Sequence, residues 1–452
     1  MIINQGGGSL RGTRVLITGG RAPAALELAR LLSAAGCEIH AADSIRHQLC
    51  GASRAAARRY EVPGPARDME GFIAALEHII ERERIDWLIP TCEEAFYVSA
   101  GAERLGRLCT VFAAPLPQLR RLHSKWEFIR RAEALGFAVP HTQLVRSPEE
   151  WDAAYAALAQ GRPAASLAQG YVAKPEFSRF AAKVHMVRPG GDRAQRLQQP
   201  DASGKAAGAG ESHGAGRALS AGKRENHTMA GAAGMELIQA PLAADCYPWV
   251  IQQLVPGRSL CTYSIAHQGR LAAHAAYAAT YHVHGGACVY FEPLFHPRAT
   301  EWVRRFVELE QYTGQIAFDF IETDEGELLP IECNPRTTSG IHLFRPADGL
   351  ASAILAADEA QGALLEPQPG TRRMLALPML LYGIRSDRSW KGFGTWLRKS
   401  AAARDVVFRW TDARPAVKQA LLLWELWRTA AAQGETVLEA STSDIEWNGG
   451  TR

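Results

Sequence analysis

No run of apolar residues in this 452-residue sequence approaches the roughly 20 that a helix needs to cross a bilayer. The longest, such as residues 15–18 and 374–381, stop far short, so a membrane span is not expected. The opening residues, MIINQGGGSLRGT, lack the apolar segment of a secretion signal. There is no C-x-x-C pair among the eight cysteines (Cys37, Cys50, Cys92, Cys109, Cys246, Cys261, Cys288 and Cys333). Their scatter reads as buried thiols in a reducing cytoplasm, not as a disulfide frame or a zinc site. Neither sign of charge predominates: 50 Lys and Arg against 47 Asp and Glu leave a formal charge of +3. That balance argues against a dedicated nucleic-acid binder, which would gather basic residues on one face. The G-x-G-x-x-G spacing is missing as well. The first strand-like run ends in Thr18-Gly-Gly-Arg-Ala-Pro-Ala24, where Pro23 starts a helix. Asp43, at the end of the second strand, gives a nicotinamide-binding reading only slight support.

What is present is apolar content of 47%, enough for several cores, on a chain long enough for two to four domains. Residues 14–18, 38–42 and 86–90 are strand-like, while 23–35 and 72–84 carry apolar residues at helical spacing. Short strand–helix–strand connections imply a parallel sheet with right-handed crossovers, and residues 12–115 are expected to form a doubly wound domain. A long helix is expected over 119–135, then strands at 142–145, 171–175 and 181–187. From 188 to 235 the sequence is nearly devoid of large apolar residues, so a disordered insertion is expected there. Strands at 247–255, 260–267, 271–280, 316–322 and 328–332 follow, with an amphipathic helix at 301–312. Residues 351–452 read as mostly helical. Their tryptophans (Trp390, Trp396, Trp410, Trp424 and Trp427) are expected in a core, and Arg385, Arg388, Lys391, Arg398 and Arg404 on a solvated helix face.

The strongest chemical signal is residues 316–336, IAFDFIETDEGELLPIECNPR. Two strands joined by the acidic, glycine-containing turn 323–326 make a hairpin. Strand periodicity sets Glu332 and Asn334 on one face, and the hairpin folds Asp319 back beside them. Magnesium takes hard oxygen ligands, commonly one or two carboxylates with phosphate oxygens completing the shell. Crowded carboxylates repel unless a cation lies between them.

The stretch Glu332-Cys-Asn-Pro-Arg336, with Asp319 thirteen residues upstream, resembles the metal-binding signature of the ATP-grasp superfamily. The resemblance implies that Asp319, Glu332 and Asn334 hold Mg2+ or Mn2+ and that Arg336 lies near the transferred phosphoryl group. Lys125 after Ser124, and Lys174 in Val172-Ala-Lys-Pro175, are similar to the family's two phosphate-binding lysines. The loop 176–183 departs from the family, which usually carries a glycine-rich loop there. Ser178 and Arg179 are the donors available in its place. Residues 249–257 resemble the hinge that reads adenine through backbone groups of Gln253, Leu254 and Val255. Ser259 stands where the family often has a ribose-binding Glu.

The blocks occur in the family's order and cover roughly residues 115–345. The expected fold is therefore α/β and α+β: the N-terminal doubly wound domain (12–115), an ATP-grasp module of two α+β subdomains (116–350) and the helical tail (351–452). The implied activity is that of an ATP- and Mg2+-dependent cytoplasmic carboxylate–amine ligase, with Lys174 and Arg336 acting on the phosphoryl group. Its expected partners are small carboxylate and amine substrates, and a homodimer is compatible with this reading. Glu93 or Glu94 is a candidate for a substrate amine, with a solvated loop as the equal alternative. Tyr281 or His282 is a candidate for the acceptor. His282 and His284 lack a third metal ligand nearby. Specificity would reside in the first domain, residues 281–295 and the tail. The alternatives are a non-catalytic ATP-binding regulator and an NAD-dependent oxidoreductase. No biotin-carrier segment is visible, which favours a ligase over a carboxylase.

Overall fold

The computed structural model describes residues 10–159, 170–178, 184–187, 195–196, 247–283, 286–356, 363–385 and 389–450. The chain divides into two compact units, one of Met1–Thr142, Glu176–Ala182 and Val255–Arg452, the other of Gln143–Pro175 and Lys183–Leu254.

The first unit begins with a five-stranded parallel sheet. Its spatial order is Ala56–Glu61, Glu38–Asp43, Arg14–Thr18, Trp87–Ile89, Thr110–Val111. Val15, Leu16 and Ile17 are all fully buried, as expected for a parallel strand covered on both faces. Pro23 opens the helix Pro23–Ala34, where its missing N–H costs nothing. Strand Ala56–Glu61 escaped the sequence pattern because it is an edge strand with four exposed residues and no apolar alternation.

The helix expected over 119–135 is two helices, Leu116–His123 and Lys125–Ala134. Ser124 (φ −62°, ψ 118°) leaves the helical region between them. Its hydroxyl accepts from the Glu127 N–H at 3.0 Å. A serine in the N-cap position satisfies an otherwise orphan amide, and here it makes Lys125 the first residue of a helix.

A four-stranded antiparallel sheet follows in the order Arg270–Ala278, Arg258–His267, Gly314–Glu322, Leu328–Asn334. One of its faces packs Phe318 and Phe320 against Trp302 and Phe306 of helix Pro297–Leu309 and against Phe128. Each such buried ring contributes on the order of 2 kcal/mol through area removed from water. Gly257, entering this sheet, has φ +154°, and a Cβ there would lie 2.3 Å from the Glu322 carbonyl oxygen. Only glycine fits.

The region beyond residue 350 is helical with two short strands. Arg373–Met374 lies between Tyr290–Phe291 and Arg404–Asp405 in a small sheet. It is tied to the first helix by Arg30, which donates to the carbonyls of Val406 (2.7 Å) and Val407 (3.0 Å) and to Asp412 Oδ2 (2.8 Å). The expectation of core tryptophans is corrected for four of the five; Trp396 is partly buried against Met379, donating to its carbonyl at 3.1 Å. Trp390 and Trp410 are 91% and 89% exposed, Trp424 and Trp427 more than half exposed. The buried side of helix Arg414–Gln433 is formed by Pro415, Leu422, Leu426 and Ala430 instead.

The second unit holds a sheet in the order Thr142–Val145, Trp249–Gln253, Tyr171–Pro175, His185–Val187, Gln195–Arg196. Val145, Trp151, Tyr171, Trp249 and Ile251 make its core. Within the expected insertion 188–235, Gln195–Arg196 is a short strand paired with His185 and Met186; the rest of that stretch lies outside the described residues. Among the described residues no helix is long and apolar enough to cross a membrane.

Candidate active site

Register decides how the acidic hairpin is arranged. Asp319 lies directly opposite Glu332, and Ala317 opposite Asn334. Residues opposite each other, and those two apart on one strand, share a face. Asp319, Glu332 and Asn334 are thus gathered on one side, while Phe318, Phe320 and Cys333 occupy the core on the other. A register shift falls between Asp319 and Phe320, a bulge of the kind that re-aims side chains beside functional sites.

The Asn334 amide donates through Nδ2 to Asp319 Oδ2 at 3.3 Å and accepts at Oδ1 from Arg336 Nη2 at 3.1 Å. Among the described residues no three His, Cys, Asp or Glu side chains are grouped to hold a metal on their own. Two carboxylates and one amide oxygen suit a hard divalent cation that takes its remaining ligands from phosphate and water.

Lys125 joins this cluster. It is 2% exposed, and its Nζ donates to the carbonyls of Ser178 (3.0 Å) and Glu176 (3.4 Å). Burial holds the ammonium below its ordinary range, against the raising influence of the Glu332, Glu93 and Glu176 carboxylates around it. Glu176 accepts a hydrogen bond from the Ser124 hydroxyl, and burial pushes its carboxyl up. One N-cap therefore sets both the lysine and a neighbouring carboxylate.

Glu93 and Glu94 are not a solvated loop. They open the helix Glu94–Ala100 at the C-terminal end of strand Trp87–Ile89, and each is 2% exposed. Glu93 Oε1 lies 3.9 Å from Arg336 Nη2 and 4.0 Å from His123 Nε2. Its Oε2 accepts from the Trp447 N–H at 3.2 Å. Glu94 Oε1 accepts from Thr18 Oγ1 (2.8 Å), Thr91 N (3.0 Å) and Cys92 N (3.0 Å). Its Oε2 has no hydrogen-bond partner among the described residues.

Burial pushes the Glu94 carboxyl above its ordinary value of 4.5, the three donors opposing it. The charged form is therefore disfavoured in the fold. That cost is absent below the unfolded-state value and grows as pH rises through the folded one. Glu94→Gln keeps the accepting oxygen and is expected to unfold at pH 7 no more easily than the native chain, any advantage vanishing near pH 4. Glu94→Ala strips three buried donors of their acceptor and is expected to cost about 2 kcal/mol or more in chemical denaturation.

Asp43, the residue that hinted at a nicotinamide ribose, is occupied. It accepts from the Arg21 backbone N–H (2.7 Å) and Nε (3.0 Å), and Arg21 in turn holds Asp444 (Nη1–Oδ1 2.6 Å). An acceptor engaged in this way is not offered to a ribose.

In the second unit Lys174 is 6% exposed and donates to Gln252 Oε1 at 3.0 Å. Gln253 ends the strand Trp249–Gln253 opposite Tyr171, and the Leu254 N–H donates to the Gly170 carbonyl at 3.1 Å. Val255 and Ser259 belong to the first unit, Ser259 facing Ile321 across the sheet. Ser178 contributes its carbonyl to Lys125, and Arg179 lies outside the described residues.

Tyr281 packs with Val289, Tyr290 and Met379, under the Lys399 ammonium. Both ring nitrogens of His282 face backbone carbonyls, those of Gly286 and Ala279, each at 3.0 Å. They pin the turn that leads to Cys288. His284 lies outside the described residues. A cavity of about 960 Å³ at the sheet edge, lined by Trp87, Ser99, Thr110 and Val111 among others, includes none of the Asp319–Arg336 cluster.

Three residues of the cluster were not singled out from the sequence: His123, Glu176 and Trp447. Glu176 was visible beside Lys174. Nothing local marks His123 or Trp447, which meet Glu93 only through tertiary packing.

No protein-family model matches the chain, and no curated protein matches it. Solved structures do. An N5-carboxyaminoimidazole synthetase from Staphylococcus aureus complexed with ADP aligns with a TM-score of 0.52 at 10% identity, over 80% of this chain and 81% of that one. An L-amino acid ligase from Bacillus licheniformis gives 0.51 at 12%, over 80% and 79%. A biotin carboxylase–β,γ-ATP complex from Campylobacter jejuni gives 0.53 at 13%, over 80% and 75%. These are ATP-grasp enzymes, and the chain has their fold. At such identities the likeness is one of fold.

Proposed function

We propose that this chain, with its ATP-grasp fold, is an ATP- and Mg2+-dependent ligase that activates a substrate carboxylate as an acyl-phosphate for attack by an amine. The observation that carries the proposal is the convergence of Asp319, Glu332, Asn334, Arg336 and Lys125 in one cluster in which Lys125 and Asn334 are buried and the others partly so. Carboxylates, a carboxamide and cations of this kind are what a metal–triphosphate complex calls for.

When bound, Mg·ATP supplies the phosphoryl group and the divalent charge. Asp319, Glu332 and the Asn334 oxygen would hold the cation. Lys125 would neutralise phosphate oxygens as a point charge, the role that the resemblance also gives to Lys174. The resemblance assigns the adenine to backbone groups of Gln253, Leu254 and Val255 and the ribose to Ser259, with Ser178 as a donor available from the loop. Arg336 would steady the phosphoryl group as its charge shifts. Burial around Lys125 and Glu93 excludes water, which would otherwise hydrolyse an acyl-phosphate.

The test is ADP release across a panel of amino acids and small carboxylates, each with and without an amine, with Glu332→Ala as control. Stimulation by a carboxylate–amine pair supports the ligase. ADP release that no compound stimulates would point instead to the nucleotide-binding regulator.

A further inference from the structure

Residues 441–447 cross the C-terminal ends of the parallel strands, where an open α/β sheet meets its ligands. Arg21, just past strand Arg14–Thr18, donates to the Ser441 carbonyl (2.9 Å) and to both Asp444 oxygens (2.6 and 2.7 Å). The Ala66 N–H donates to the Asp444 carbonyl at 3.0 Å. Tyr97 Oη donates to the Glu446 carbonyl at 2.5 Å. Trp447 then enters the molecule. It is 2% exposed, stacks on Phe96 (centroids 4.6 Å apart, planes 4° apart) and meets Phe177 edge-on at 5.6 Å. Its backbone N–H donates to Glu93 Oε2.

We propose that this tail, through Trp447, is a positioning element of the phosphoryl-transfer site: it fixes Glu93 so that the carboxylate braces Arg336 beside Asn334. The inference rests on the ligase reading. Arg336 has a long side chain whose rotamer freedom must be lost for it to act. Two groups constrain its Nη2: Asn334 Oδ1 at 3.1 Å and Glu93 Oε1 at 3.9 Å. Glu93 itself is set by a contact from a residue 354 positions away. Phe96 and His123 both pack against Trp447 and lie 5.0 Å apart between ring centroids, and His123 Nε2 is 4.0 Å from Glu93 Oε1. A tail that served only to cover a sheet end would not need to address that carboxylate.

The test uses the full-length chain and Mg·ADP binding, with and without orthovanadate as the phosphoryl mimic. Transition-state mimics gain affinity only where the site is preorganised, by about a hundredfold or more. Trp447→Ala and Glu93→Gln are expected to lose about tenfold or more of the vanadate-dependent gain. Their affinity for Mg·ADP alone stays within about twofold, and Trp447→Phe, which keeps an aromatic ring to seat the tail on Phe96, keeps the gain; alanine retains the same backbone N–H but loses that seat. A full gain in Trp447→Ala or Glu93→Gln overturns the inference. So does a parallel fall in both affinities, which marks a merely structural tail. A native chain that does not bind Mg·ADP overturns the ligase reading and the inference with it, whereas a tail-independent gain overturns the inference alone.

Discussion

Replacing Glu332 with alanine is expected to cut ADP release by at least about a hundredfold, with little change in thermal stability. Such a loss corresponds to about 2.7 kcal/mol of transition-state stabilisation. Glu332 is one of only two carboxylates on the hairpin's polar face, opposite Asp319, and the Asn334 amide alone cannot replace its charge. The side chain is partly exposed on a strand whose core contacts are made by Cys333 and its neighbours, so truncation removes a ligand and leaves the packing in place. Glu332→Gln separates charge from shape: it keeps one oxygen and is expected to retain more activity than alanine at raised Mg2+ concentration. Steady-state kinetics against Mg2+ concentration measures both.

Lys125→Met is expected to weaken ATP binding by about ten- to hundredfold, the range for a charge-assisted hydrogen bond to phosphate. AMP binding is expected to be nearly unchanged. Methionine fills the same volume without the charge. Burial lowers the lysine's pKa, so the fold disfavours its ammonium form. That cost is felt in full below the folded-state value and is relieved as pH rises through it. Removing the ammonium also leaves Glu332, Glu93 and Glu176 with less counter-charge. The two effects oppose, and stability is expected to stay within about 1 kcal/mol of the native chain. Calorimetric titration with ATP, ADP and AMP beside a denaturant curve tests both halves. A variant that binds ATP normally removes Lys125 from the phosphate site.

The acidic hairpin was legible because its logic is local. A period of two, a glycine-bearing turn and three polar residues among apolar ones place Asp319, Glu332 and Asn334 together without knowledge of anything distant. The parallel strands around Val15–Ile17 were legible for the same reason. Where one residue's geometry overrode a pattern, the sequence misled: Ser124 looks like any polar residue in a helical stretch, yet by capping the second helix it splits the stretch and presents Lys125. Strand Ala56–Glu61 is held by its neighbour and carries no alternation of its own. Burial of Glu93 and Glu94, and the return of Trp447 over them, depend on contacts across hundreds of positions, which no window of sequence contains. The exposed tryptophans of the tail mark the converse error, for apolar residues are no guarantee of burial.

The central claim is that the Asp319–Glu332–Asn334 face holds a divalent cation carrying a nucleoside triphosphate. Calorimetric titration of ATP into the purified chain, with Mg2+ and with excess chelator, tests it most directly. The expected result is binding that weakens by about tenfold or more when the cation is withdrawn, and a Glu332→Ala variant that no longer responds to the cation. Equal affinity with and without Mg2+, or no affinity for adenine nucleotides in a folded sample, would contradict the claim.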